Sequence, residues 1–282
     1  MNIQEKLESM ARNSIELKIA GKEDYKRCAT RFGGQPDVPS DFVWPTYEGK
    51  NYDDILKARP LAFLLQINCE ELAQYDTEHL LPDHGLLSFF YEMDSQPWGF
   101  DPKDKGCARV YWFEDTSSLS PTDFPADLED DYKFPIIQID LSSKASYPSW
   151  EDFPNVSTDR EDDDAFTTAW EQLTGENLEE LAERSQLLGW PDVIQNSMFE
   201  ECDLVTRGYY LGNGWVKIPK DVRKQVEETA RDRWMLLLQL DTVECEDFEL
   251  MFGDCGHIYF YITKKDLKER RFDRTWLILQ CC

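Results

Sequence analysis

Basic residues are scarce in this sequence. Its 282 residues include 30 Lys and Arg against 56 Asp and Glu, a formal net charge of −26 and a pI near 4.4. Nucleic acid is therefore disfavoured as a direct ligand, because affinity for it rests on Lys and Arg neutralising phosphates. An anionic membrane surface is disfavoured on the same ground. Histidine is scarcer still, with only His79, His84 and His257. A zinc site wants four Cys or His ligands at recognisable spacing, and no such set is present. The eight cysteines, at 28, 69, 107, 202, 245, 255, 281 and 282, form no C-x-x-C pair and read as reduced thiols. No apolar run approaches the roughly 20 residues that span a bilayer. The charged N-terminus shows no apolar signal core, so the expected location is the cytoplasm. G-x-S-x-G, H-E-x-x-H and G-x-G-x-x-G are all missing, which removes the common hydrolase, zincin and dinucleotide signatures. The expectation is no cofactor, no metal and no identifiable catalytic residue.

What the chain does have is apolar matter, 41% of residues with 13% aromatic, enough for a sizeable core. It also has a repeated frame. Phe63-Leu64-Leu65-Gln66-Ile67-Asn68 is followed by Pro82-Asp83-His84-Gly85-Leu86-Leu87-Ser88-Phe89-Phe90-Tyr91. Leu236-Leu237-Leu238-Gln239-Leu240-Asp241 is followed by Gly253-Asp254-Cys255-Gly256-His257-Ile258-Tyr259-Phe260-Tyr261. Short apolar runs of this length suit buried strands, and Asp-x-Gly is turn chemistry. Each copy therefore reads as a strand, a connection and a second strand. The Asp and Gly are structural first; a ligand cleft between the two halves is the functional alternative. The Cys255/His257 pair is a weak candidate for nucleophilic catalysis, because His84 and Leu86 stand at the matching positions of the first copy.

Along the chain, Ile3, Leu7 and Met10 predict a helix, and Ile15 to Ile19 alternate like a strand. Residues 30–39, with Gly33, Gly34, Pro36 and Pro39, predict an ordered loop. Paired glycines can present N–H groups to phosphate, but no Gly-Lys-Ser/Thr follows, so a structural turn is preferred. Residues 114–183 hold 20 acids and only 3 bases. Within them Phe134 to Leu141 repeats the apolar-Gln-apolar-Asp theme, and 142–162 reads as an exposed linker. Helices are predicted from Ala165 to about Leu173, from Leu178 to Leu188 and from Val222 to Ala230. Asp162, Asp163 and Asp164 would sit at the N-terminus of the first. A final strand is predicted at 275–280. Trp44, Trp98, Trp112, Trp190, Trp215 and Trp276 read as core or loop anchors.

Phe32-Gly33-Gly34-Gln35-Pro36-Asp37-Val38-Pro39 with Trp44-Pro45 resembles the opening signature of the YwqG-like family, a bacterial domain of unknown function. The resemblance continues through the first Leu-Leu-Gln copy, Pro97-Trp98-Gly99-Phe100, Arg109-Val110-Tyr111-Trp112 and Leu187-Leu188-Gly189-Trp190-Pro191-Asp192 to the second copy. It covers nearly the whole chain, departing at Phe252, where the family is expected to carry Trp. It implies an α+β fold with internal duplication and no established activity. Some members are thought to act as immunity proteins.

The sequence thus predicts one α+β domain, internally duplicated, of mainly antiparallel sheets with flanking helices. Its related halves, about 31–115 and 187–282, would be joined by the acidic segment 114–183. The first functional expectation is a non-enzymatic interaction module, including the immunity type, whose acidic surface meets a basic protein partner. Glu161, Asp162, Asp163 and Asp164 are the candidate interaction residues. The alternative is an enzyme or small-ligand binder with a site between the repeats, built from Gln66, Arg109, Gln239 and Asp254.

Overall fold

The computed structural model describes residues 2–50, 54–153, 160–178, 184–212 and 218–281, and for 160–163 the backbone only. It is a mixed helix-and-sheet protein built on one ten-stranded sheet. The strands are β1 (Arg12–Lys22), β2 (Arg31–Phe32), β3 (Ala62–Asn68), β4 (Leu86–Tyr91), β5 (Ala108–Phe113), β6 (Ile137–Ser146), β7 (Ser185–Leu188), β8 (Trp234–Leu240), β9 (His257–Thr263) and β10 (Trp276–Gln280). Their spatial order is β10-β9-β8-β7-β1-β6-β2-β3-β4-β5, and every neighbouring pair is antiparallel. Helices α1 (Ile3–Ser9), α2 (Cys69–Leu72), α3 (Arg160–Thr174), α4 (Met198–Thr206), α5 (Lys220–Arg233) and α6 (Lys264–Lys268) flank it.

The sheet curls into a nearly closed barrel, so its two ends are managed from opposite sides. The connection from β4 to β5 reaches over β10: the Leu279 N–H donates to Trp98 O at 3.0 Å, and the Trp276 indole donates to Gly99 O at 2.7 Å. The connection from β9 to β10 reaches back over β5, where Phe272 meets Trp112 with ring centroids 6.4 Å apart. Covering sheet edges this way removes a template for unwanted strand pairing.

Strands β3, β4, β8, β9 and β10 are buried almost throughout because both faces are covered. On β8 and β9, Leu238, Leu240, Ile258, Phe260 and Ile262 join the barrel interior, where Phe260 meets Phe89 of β4 at 5.4 Å. The alternate residues Trp234, Leu236, Tyr259 and Tyr261 face outward into a second core under α4 and α5, with Phe199, Val226 and Ala230. A strand buried on both faces loses the polar alternation of a half-exposed one. On the first half the outer face of Phe90 is covered instead by Phe42 and Trp44, at 5.9 and 5.6 Å. A third small core joins α1 to α3 through Leu7, Phe153, Phe166 and Trp170.

Three expectations are corrected. Residues 178–188 do not form a helix ending at Leu188: Ser185–Leu188 is β7, inserted between β8 and β1, while 179–183 lie outside the described residues. Residues 142–153 are not an exposed linker. β6 runs on to Ser146, Asp152 is buried, and Phe153 is buried against α3. The helix α3 begins earlier than predicted, at Arg160.

The two Leu-Leu-Gln segments adopt the same local structure. β3 pairs with β4 through a bulge that skips Leu64, and β8 pairs with β9 through a bulge that skips Leu237, each two residues before the glutamine. Gln66 faces Ser88 and Gln239 faces Tyr259, the matching positions of the two frames. The parallel extends to the preceding strand, where Arg31 faces Gln66 and Gln186 faces Gln239. It also reaches β1 and β6: Ile15 faces Leu187, and Ile137 faces Phe32.

Candidate functional site

Gln66 is fully buried. Its amide accepts from the Asp37 N–H at 3.2 Å and donates to the Asp37 carboxylate at 2.8 Å and to Ala29 O at 3.0 Å. Gln239 does the same in the other half. It accepts from the Asp192 N–H at 2.9 Å and donates to the Asp192 carboxylate at 2.7 Å and to Arg184 O at 3.0 Å. Each glutamine therefore clamps the loop that follows β2 or β7. Even the charge partners match in kind though not in position. Arg31 donates to Asp37 at 3.1 Å, whereas Arg184, two residues before Gln186, grips Asp192 at 2.6 and 2.7 Å. At the Arg31 position, Gln186 keeps only a bond to Trp190 O, at 2.7 Å, where Arg31 bonds Gln35 O at 2.6 Å.

Gln66 and Gln239 lie on β3 and β8, separated in the sheet by β2, β6, β1 and β7. Arg109 sits on β5, half-buried, with its guanidinium donating to Ala108 O at 3.2 Å. Asp254 is exposed in the turn before β9. Of the clefts near Trp98, Lys18, Lys264 and Glu71, none is lined by any of these four residues. The Gly33 and Gly34 N–H groups are taken by Leu64 O and Phe134 O, at 2.7 and 3.0 Å, so that loop is a packed turn. Cys255 is exposed, while His257 is buried with its ring 3.1 Å from the Tyr259 hydroxyl and 3.0 Å from Asp241. Asp164 is exposed on α3; the side chains of Glu161, Asp162 and Asp163, and all of Trp215, lie outside the described residues.

The largest cleft described, about 720 Å³, opens where the β4–β5 connection crosses β10. Trp98, Phe100 and Tyr210 form its aromatic wall, with successive ring centroids 6.1 and 6.2 Å apart. Backbone bonds fix that wall: Leu211 N–H donates to Phe100 O at 2.8 Å, and Leu279 N–H to Trp98 O at 3.0 Å. The floor is Ile278 to Gln280 of β10. Gln280 holds the neighbouring rim, accepting from the Ile194 and Gln195 N–H groups at 3.1 Å each and donating to Asn196 O at 2.8 Å.

Two consecutive carboxylates from α4, Glu200 and Glu201, face this wall, with Arg223 of α5 as the basic residue lining the cleft. Burial, and then the charge of Glu200, push the Glu201 carboxyl up to about 7. Burial and Glu227 raise Glu200 as well, opposed by Arg231 and Arg223. Sequence reading missed these residues. Their signal was an adjacent acid pair inside the apolar stretch Met198-Phe199-Glu200-Glu201-Cys202, where one acid must turn away from solvent.

The folded protein holds the Glu201 proton more tightly than the unfolded chain, where the group titrates near its ordinary 4.5. Its contribution to stability is therefore full below the unfolded value and is lost as pH rises through about 7. Glu201→Gln is expected to melt with wild type at pH 4.5 and above it at pH 8. Thermal melts across this range check it; a variant that melts lower than wild type at pH 8 would contradict the assignment.

Among the described residues, no group of three or more His, Cys, Asp or Glu is placed to hold a metal ion, and no helix is long and apolar enough to cross a membrane. A family described as a domain of unknown function, DUF1963, matches residues 30–281. The chain belongs to this family. No curated protein matches it. The family match begins just before β2 and ends after β10, so it contains the cleft and both glutamine clamps, while β1, which completes the sheet, lies before it.

Proposed function

We propose that this DUF1963 protein is a non-enzymatic interaction module that engages a basic protein, with the aromatic cleft receiving a lysine or arginine side chain of that partner. The observation that carries this reading is the Glu200–Glu201 pair facing Trp98, Phe100 and Tyr210. Two carboxylates forced together and partly desolvated are relieved by a cation, and aromatic faces attract the same charge. The net charge of −26 supplies long-range attraction for a basic partner. The acids at the start of α3 would add to that steering. The narrower YwqG-like membership and an immunity-type role belong to the same proposal. So does the origin of the fold by internal duplication, supported by the two matching clamps and bulges.

Ionised Glu201 is the form that binds a cation, so binding tightens as pH rises through about 7 and releases a proton. A fluorescein-labelled peptide of alternating arginine and glycine, followed by fluorescence anisotropy, tests this. Affinity should rise from pH 6 to pH 8, and the Glu200→Gln/Glu201→Gln double variant should lose about tenfold and the pH dependence with it. Neutralising Glu161, Asp162, Asp163 and Asp164 should instead slow association and flatten its salt dependence. Binding that is equal in the double variant and insensitive to pH would sink the reading.

A further inference from the structure

One cavity runs against the sign of the whole molecule. It lies between the start of β1, the loop at 78–80 and helix α6, with a volume of about 510 Å³. Four cations line it, Arg12, Lys264, Lys268 and Arg270, against one acid, Glu78. Glu78 accepts from the N–H of Asn13, another lining residue, at 3.0 Å and offsets part of the Arg12 charge. The other carboxylates that act on these cations, Asp152 on Arg12, Asp232 on Lys264 and Asp83 on Arg270, do not line the cavity. Among the described residues, none of the four makes an ion pair within 4.0 Å.

The two arginines are held in place, while Lys264 and Lys268 are exposed. Arg12 stacks 3.5 Å over the Trp190 ring, and its buried Nη1 has no hydrogen-bond partner. Arg270, in the left-handed region at φ 57°, donates to Leu80 O and, at 3.0 Å, to Leu81 O. These carbonyls orient the guanidinium without cancelling its charge. Lys264 and Lys268 are four apart on α6, where like charges repel. Burial, and then the charge of Arg12, lower the Lys264 pKa. Leu80, Met235 and Leu267 supply an apolar part of the wall, beside Asn13, His79 and Gly189.

We propose that this cavity binds a phosphomonoester carried on a small apolar body. A phosphoryl group offers close to two charges and three acceptor oxygens to converging donors, whereas a carboxylate offers one charge and two oxygens. The apolar wall takes the body of the ligand, as in most small-molecule sites. This site is independent of the carboxylate cleft under α4, and its charge preference is the reverse.

Isothermal titration calorimetry on the full chain tests it with phenyl phosphate, inorganic phosphate and benzoate. Phenyl phosphate should bind one-to-one with Kd below about 1 mM. Benzoate should bind about tenfold more weakly, because it lacks the second charge. Inorganic phosphate should also bind more weakly, having no apolar body to bury. Lys264→Gln and Lys268→Gln should each weaken phenyl phosphate by about tenfold, with the unliganded melting temperature unchanged or raised. No saturable binding of phenyl phosphate up to about 10 mM would overturn the proposal. So would benzoate binding as tightly as phenyl phosphate, or lysine variants that bind as well as wild type.

Discussion

Asp37→Ala should destabilise the protein by about 3–5 kcal/mol, because it strands a buried cation. Arg31 is 1% exposed, and its other side-chain bonds go only to Gly33 O and Gln35 O. Asp37 also accepts from the Tyr25 hydroxyl at 2.7 Å, the Gln66 amide at 2.8 Å and the Cys28 N–H at 3.0 Å, so three further donors lose their acceptor. Burial and this bond push Tyr25 up to about 12, so its hydroxyl stays a donor through neutral pH. The corresponding change in the second half, Asp192→Ala, should cost less. The Arg184 side chain is 16% exposed and keeps Glu176 at 3.1 Å as a second carboxylate. Urea denaturation of both variants at neutral pH checks the order. An Asp192→Ala variant less stable than Asp37→Ala would show that burial of the cation is not what sets the cost.

Gly99→Ala is expected to be comparably severe for a different reason. Gly99 has φ +83°, and a Cβ there would lie 1.8 Å from Leu277 O in the edge strand β10. The backbone cannot yield without breaking the Trp98 and Gly99 bonds that cap β10. We expect a loss of about 3 kcal/mol or more, with weaker binding of the basic peptide, because Trp98 and Phe100 flank the substitution. Gly175 is the control: its φ is +74°, but a Cβ would meet nothing within 4 Å. Gly175→Ala should cost only the conformational part, roughly 1–2 kcal/mol. Chemical denaturation of the two variants separates steric conflict from backbone preference, and equal losses would mean the contact with β10 is soft.

The strands at the centre of each half were legible because apolar runs such as Leu236 to Leu240 have strand length, and because the Asp-x-Gly frame marks where the chain turns. Their burial on both faces was not, since it depends on α4, α5 and the Phe42–Trp44 loop arriving from elsewhere. β7 was read as helix because Leu178-Glu179-Glu180-Leu181-Ala182-Glu183 is rich in helix formers, and only pairing with β1 and β8 gives Ser185–Leu188 its extended form. Gln66 and Gln239 stood out in sequence. Their partners Asp37 and Asp192, 29 and 47 residues earlier, became visible only once the sheet brought β2 beside β3 and β7 beside β8. The carboxylate cleft assembles from separate stretches around 98, 200, 210, 220 and 280, and no local pattern could join them.

The order of the strands has a consequence for how the chain can be made. β1 pairs not with β2, the strand that follows it, but with β7 and β6, while β6 pairs with β2. β1 and β6, the strands that precede the two halves, are thus each lodged against the other half. As the chain leaves the ribosome, β2 to β5 lack the neighbour that β6 provides, and β1 finds its second partner only after Leu188 has emerged. A truncated product ending near residue 115 should stay open at β2 and recruit chaperones. The same fragment, mixed with residues 116–282, should regain the native sheet by exchanging strands in trans.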